Sequence, residues 1–254
     1  VGPGVAMSSS TPPAAPTPTG LILIDKPAKR AVSSVTAVRK VKRALRSGGA
    51  DVARMRVGHA GTLDPLASGL LIVLVGRGAT RLCNDLMNGP KTYEATLDLL
   101  KSSPSDDLET ETTINDLQRR PTREDVERAL EGFRGVIQQR PPAFSAIWID
   151  GVRAFKIARK AAEGRLPEME ARPVTIHELA LVEYDFPLLT IRVRCSKGTY
   201  IRSLARDLGS AISGHPAVLV RLRRTAIGPY DVANATPLES LPERLTQSDL
   251  IPVG

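Results

Sequence analysis

Cysteine and histidine are scarce in this chain. Two cysteines, Cys83 and Cys195, stand among 254 residues, and no C-x-x-C pair occurs. That excludes a disulfide framework and fits a reduced, intracellular setting. The three histidines, His59, His177 and His215, are far apart and out of metal-ligand spacing with the cysteines. No metal is expected. No apolar run approaches the roughly 18 residues that span a bilayer, so a cytoplasmic protein without a membrane partner is expected. The G-x-G-x-x-G, G-x-x-x-x-G-K-[ST] and G-x-S-x-G signatures are also missing, which sets aside the chemistries they carry.

What is present favours a polyanionic partner. The chain is long enough for one large domain with a sizeable core, and 42% of it is hydrophobic. Lysine and arginine number 35 against 27 acidic residues, a formal net charge of +8. The excess suits nucleic acid; the plainer reading is a basic soluble protein. Residues 1–19 are rich in Pro, Ser, Thr and Ala, with no basic n-region and no long apolar core. They read as a disordered tail rather than a secretory signal, and the folded domain is expected over 20–254.

The folded part opens with a short apolar strand at Leu21–Ile24, ended by Pro27. Val35, Val38, Val41 and Leu45 recur at helical spacing behind a serine cap, with Arg39, Lys40, Lys42, Arg43 and Arg46 on the other face. Residues 78–89 read as one short helix stopped by Gly89, and 91–100 alternate as a strand. The polar stretch 101–121 reads as a loop with a ragged edge strand. Pro121 and Thr122 open a helix whose buried stripe is Val126, Leu130 and Phe133. Asp150-Gly151 reads as a hairpin turn, followed by a basic helix from Ala154 to Ala162 that ends at Gly164. Alternating strands at 172–185 and 188–195 precede a helix with Ile201, Leu204, Ala205, Leu208 and Ile212 inward. A last strand from Val218 has a basic end. Strands outnumber helices and often follow one another directly. This predicts an α+β fold with a largely antiparallel mixed sheet flanked by helices.

From Val57 to Gly76, VGHAGTLDPLASGLLIVLVG, the only ionisable side chains are His59 and Asp64. A carboxylate among apolar neighbours is costly unless it has partners or a task. Pro65 biases Asp64 toward extended backbone. Gly58, Gly61 and Gly69 permit tight loop geometry or the close approach of a large ligand to the backbone. An ordinary Asp-Pro turn explains the same residues. Downstream, CSKGTYIRSLARDLG carries a strand into a helix. Free backbone N–H groups there, with Lys197, make a phosphate site. Arg202 in the first helical turn could pair with a buried carboxylate and hold it ionised. Tyr93 is either cross-strand packing or a platform for an extruded base. In Arg221–Arg224, alternation sends Arg221 and Arg223 to one face and Leu222 and Arg224 to the other. The run reads as a stripe for a nucleic-acid backbone.

In order, DKP at Asp25–Pro27, GHAGTLDPLASGLL at Gly58–Leu71, KTYEA at Lys91–Ala95, CSKGTYIRSLARDLG at Cys195–Gly209 and RLRRTAIGPY at Arg221–Tyr230 carry a resemblance. The chain resembles the TruB family of tRNA pseudouridine(55) synthases, bacterial type, over roughly residues 20–240. The resemblance implies a pseudouridine-synthase-like fold with an RNA-binding cleft. It implies no cofactor and isomerisation of the T-arm loop uridine of tRNA, by a chain expected to be a monomer. Asp64 is implied as the catalytic aspartate, starting cleavage of the N-glycosidic bond by attack on the sugar or by assisting a glycal route. Arg202 is implied as its partner, and Tyr93 as the residue that stacks on the flipped base and serves late proton transfer. His59 is implied to hold the RNA in its flipped form. Lys26 and Pro27 support the catalytic loop, and Tyr200 and Leu222 line the uracil pocket. Lys197, Arg221 and Arg223 are expected RNA contacts, and the segment from about 140 to 172 is implied to be a mobile insertion that closes on RNA.

The chain departs from the family pattern in several places. DKPAKRAVSS lacks the usual Gly after KP and is two residues longer. Between Ser105 and Glu111, Asp107 has a fitting spacing but Thr110 stands where Gly is usual. Phe144 and Phe155 replace tyrosines, and Trp148 replaces a lysine. The sequence stops soon after Pro252, which implies a missing or reduced C-terminal PUA-type domain and weaker RNA affinity. Two other readings use the same scaffold: a non-catalytic RNA-binding or tRNA-folding protein, and a guide-RNA-dependent synthase.

Overall fold

The computed structural model describes residues 17–161 and 166–253. Most of the expected tail, and the expected helix end at Ala162 and Gly164, lie outside the described residues. In chain order the elements are β1 (Gly20–Lys26), α1 (Ser34–Ser47), β2 (Val57–His59), β3 (Ala67–Val75), α2 (Gly76–Arg81), α3 (Cys83–Asn88), β4 (Lys91–Asp98), β5 (Lys101–Ser102), β6 (Thr113–Ile114), α4 (Arg123–Glu131), β7 (Gly135–Gln139), β8 (Trp148–Ile149), β9 (Val152–Arg153), α5 (Ala154–Lys160), β10 (Arg172–Asp185), β11 (Leu188–Cys195), α6 (Ile201–Ser213), β12 (Val218–Ile227), β13 (Tyr230–Asp231) and β14 (Thr236–Pro237). The main sheet runs β14-β1-β3-β12-β4-β11-β10-β7, with β2 added to β3 and β13 to β12. Among the described strands of this sheet, only the β1–β14 and β3–β12 pairs are parallel. The fold is α+β, as expected. Among the described residues no helix is long and apolar enough to cross a membrane.

β1 and β3 are buried on both faces. Ile22, Ile24, Leu71, Val73 and Val75 meet α1 in one core. Leu21, Leu23, Leu70, Ile72 and Leu74 meet Ala79 of α2 in another. Two-sided burial is why β3 reads as an unbroken apolar run. The other half of the sheet alternates. Ala95 and Leu97 of β4 and Leu189, Ile191 and Val193 of β11 pack with α4 and α6, while Arg192 and Arg194 face solvent. β12 is the seam between the halves, parallel to β3 and antiparallel to β4. Its Leu222 packs against both cores.

Three details differ from the sequence reading. Val35 is 51% exposed, because α1 turns Ser34, Ala37 and Ala44 inward beside Val38, Val41 and Leu45. The single helix expected over 78–89 is two, α2 and α3, bent at Leu82. The bend keeps Ala79, Cys83 and Leu86 on one core. Edge strand β7 has no alternating apolar pattern of its own and is held by its ladder with β10.

Candidate active site

The loop between β2 and β3 is gripped by its main chain. Ser34, at the start of α1, accepts from Leu63 N–H through Oγ (2.9 Å) and donates to Leu63 O (3.2 Å). Lys26 Nζ, at the end of β1, donates to Pro65 O (3.1 Å) and Pro27 O (2.8 Å). Ala67 N–H donates to Asp64 O (3.0 Å) and closes the Asp-Pro turn. From the opposite side, Arg224 of β12 donates to Leu70 O (2.8 Å), Gly61 O (3.1 Å) and Thr62 O (3.4 Å). None of these grips uses the Asp64 carboxylate.

That carboxylate meets Arg202, with Oδ2 3.1 Å from Nε. Arg202 is the second residue of α6 and is 5% exposed. Its other nitrogens donate to Ser105 O (3.2 Å) and Phe144 O (3.1 Å), and Asp107 Oδ2 lies 3.6 Å from Nε. One guanidinium thus joins the Asp64 loop, the 103–110 loop and the segment before β8. Burial pushes the Asp107 carboxyl above its usual range, against the pull of Arg202, the Ser105 hydroxyl and the Glu109 N–H. Thr110, in the place where Gly is usual, closes this loop through Ser105 (2.8 Å between hydroxyls).

Asp64, Tyr93, Lys197, Tyr200, Arg202 and Leu222 line a single open cleft of about 1050 Å³. Phe144 and Phe155 line it as well, whereas Trp148 is 60% exposed and stacks under Arg153 (4.0 Å). Tyr93 stands on β4. Burial raises its phenol above the ordinary value, and the adjacent Arg224 opposes that rise. Tyr200 precedes α6, with the Arg172 guanidinium 5.4 Å from its ring. The expected phosphate site at this helix start is corrected in one respect: Tyr200 N–H already donates to Gln139 Oε1 (2.8 Å). Lys197 Nζ donates to Asn88 Oδ1 (2.9 Å) across the mouth.

Lys26, Pro27, His59, Arg221 and Arg223 lie off the cleft wall, whereas Arg224 reaches it. Lys26 is fully buried beneath the loop, with Pro27 beside it, and burial pushes its amine down to about 8. His59, on β2, is half-buried with Nδ1 unpartnered. Burial, and then Arg224, hold its imidazole below the ordinary value. The Arg221–Arg224 stripe is divided. Arg223 is tied to Asp25 by two bonds (3.0 and 2.7 Å). Arg221 lies 3.7 Å from Glu94 and borders a side crevice of about 20 Å³. Arg224 is 1% exposed, because the inner face of a seam strand is covered from both sides. Ser34 is a site residue that the residue-by-residue reading passed over, and Arg224 was read as part of a nucleic-acid stripe, which its burial corrects. Arg224 had a signal: alternation puts it on the face of Leu222.

A family model described as TruB family pseudouridylate synthase (N terminal domain) matches residues 50–201. The tRNA pseudouridine synthase B of Parabacteroides distasonis is 46% identical over 197 residues, covering 78% of this chain and 82% of that protein. The tRNA pseudouridine synthase B of Flavobacterium johnsoniae is 42% identical over 225 residues, covering 89% and 95%. Among solved structures, a chain in the crystal structure of a Cbf5-Nop10-Gar1 complex is similar with a TM-score of 0.64 and 25% identity. The likeness covers 92% of this chain and 60% of that one.

Proposed function

The chain belongs to the TruB family of pseudouridylate synthases, and from that membership we propose that it isomerises a uridine in the T-arm loop of tRNA, with Asp64 as the catalytic carboxylate. The observation that carries this reading is the Asp64–Arg202 pair at 3.1 Å on the wall of the cleft. Arg202 sets a cation against the Asp64 carboxylate at the pocket wall, and the rigid loop aims that carboxylate.

The target base lies within a folded RNA loop and must leave it, at a cost of a few kcal/mol. Stacking on Tyr93, apolar contact with Leu222 and Tyr200, and phosphate contacts from Lys197 and neighbouring cations offset that cost. Asp64 then acts on the sugar, either by attack or by assisting a glycal route, and the N-glycosidic bond breaks. The uracil turns in the pocket and its C5 bonds to the sugar carbon. The C5 proton must then leave, and Tyr93 serves that transfer. Lys26, Pro27 and Ser34 act from beneath by fixing the loop, and His59 helps hold the displaced RNA. The segment from about 140 to 172 closes over the bound loop, with residues 20–254 as one catalytic domain working on tRNA in the cytoplasm.

The test is turnover on a bare T-arm stem-loop with pseudouridine mapped in the product. Asp64→Asn should lose more than about 10³-fold in rate, the scale on which removal of a nucleophile acts, while RNA binding is kept. Tyr93→Phe, which keeps the stacking ring, should lose about 10²-fold. Turnover at the wild-type rate in Asp64→Asn sinks the reading.

A further inference from the structure

We propose that Arg224 is a positioning residue for the reaction: its guanidinium clasps the loop that carries Asp64 and sets a buried positive charge against the phenol of Tyr93. The inference rests on the roles given above to Asp64 and Tyr93.

Arg224 is among the largest fully buried side chains of the protein, yet among the described residues its guanidinium donates to three carbonyl oxygens and to no carboxylate. An uncompensated buried charge is expensive. A fold that carries one at the floor of its cleft is using the charge there. The three acceptors bracket the carboxylate along the chain. Gly61 and Thr62 precede Asp64 and Leu70 follows it. A planar fork with donors on both sides suits a clasp of this kind.

The main chain of Arg224 is fixed as tightly. In the sheet it lies opposite Gly69 of β3 on one side and Tyr93 of β4 on the other. Gly69 has φ +102°, and a Cβ there would lie 2.2 Å from Arg224 O and 2.7 Å from Arg224 N. No larger residue lets β12 come this close. Directly opposed residues share a face of the sheet, so the guanidinium rises beside the Tyr93 ring. Arg224 from β12, Cys195 from β11 and Asp64 from the loop face that phenol. Arg224 favours the phenolate and the other two oppose it. A proton leaving C5 needs a base, and a phenol accepts it only as phenolate, the form a neighbouring cation stabilises.

The test uses Arg224→Met and Arg224→Lys, with steady-state kinetics on the stem-loop and ¹⁹F titration of 3-fluorotyrosine at position 93. That resonance is assigned by its loss in Tyr93→Phe. In Arg224→Met, kcat should fall about 10²-fold, the effect of small misplacements at a reacting centre. KM should stay within about threefold, the signature of an interaction made in the transition state, and the position-93 phenol should titrate at higher pH. Arg224→Lys keeps the charge but cannot span the carbonyls. Its phenol should titrate near the wild-type position while kcat still falls more than about tenfold. Wild-type kcat in either variant, or an unmoved phenol in Arg224→Met, overturns the proposal. Should Arg224→Met not fold, Arg224→Lys decides alone. Loss of turnover in Asp64→Asn with wild-type turnover in Arg224→Lys rejects this inference and leaves the proposed function standing.

Discussion

Lys26 carries a measurable consequence of being buried as a cation. Its amine titrates near 8 in the folded protein against 10.5 ordinarily, chiefly because burial disfavours the charged form. Between those two values the unfolded chain binds a proton that the folded one does not, so stability rises with pH across that window. Below about 8 both states are charged and the whole penalty is present; above 10.5 it is gone. Urea unfolding at pH 7.5 and pH 10 should show a gain of up to about 3 kcal/mol from this residue, and Lys26→Met should shrink it. Lys91, also lowered by burial, adds in the same direction and remains in the variant. Arg202→Met should cost about 3 kcal/mol in the same assay, since it strands the buried Asp107; an unchanged unfolding midpoint would remove the pair from the stability argument. That Asp64, Tyr93 and Arg202 line one cleft was legible through the family-like motifs that carry them. The depth of Lys26 and Arg224 was not, since residue type says "exposed" for both and only the fold covers them.

At the level of elements, Gly69 and Gly49 make a controlled comparison. Both hold positive φ, +102° and +98°, but a Cβ at Gly49 meets nothing within 4 Å. Gly49→Ala should therefore cost about 1 kcal/mol, the left-handed penalty alone. Gly69→Ala adds a backbone clash with β12 and should cost about 3 kcal/mol or more. Equal losses in thermal unfolding would mean that the β3–β12 approach is not as tight as described. Helices with caps were readable: Thr122 and Asp125 form a reciprocal capping box before α4, and Ser33 caps α1. Elements made by partners were not. β7 exists through its pairing with β10, and the α2–α3 bend through the core that both helices cover. The Gly69 reading was half right: the sequence permits a close approach there, but the partner that comes close is the protein's own β12.

Over the whole molecule, the net charge of +8 has an ionic signature. Affinity for the stem-loop should fall more than about tenfold between 50 and 200 mM salt, as counterions displaced from RNA by the basic cleft return. A salt-independent affinity would mean that stacking and apolar contacts hold the RNA without help from charge. The order of strands in the main sheet has a further consequence, and it is one of timing. The seam strand β12 ends at Ile227, and in the main sheet it pairs with β3 on one side and β4 on the other, joining the β1–β3 half to the β4–β11 half. Contacts this distant in sequence form late, after local hairpins and helices. A growing chain therefore cannot join the two halves of its main sheet until synthesis has passed residue 227.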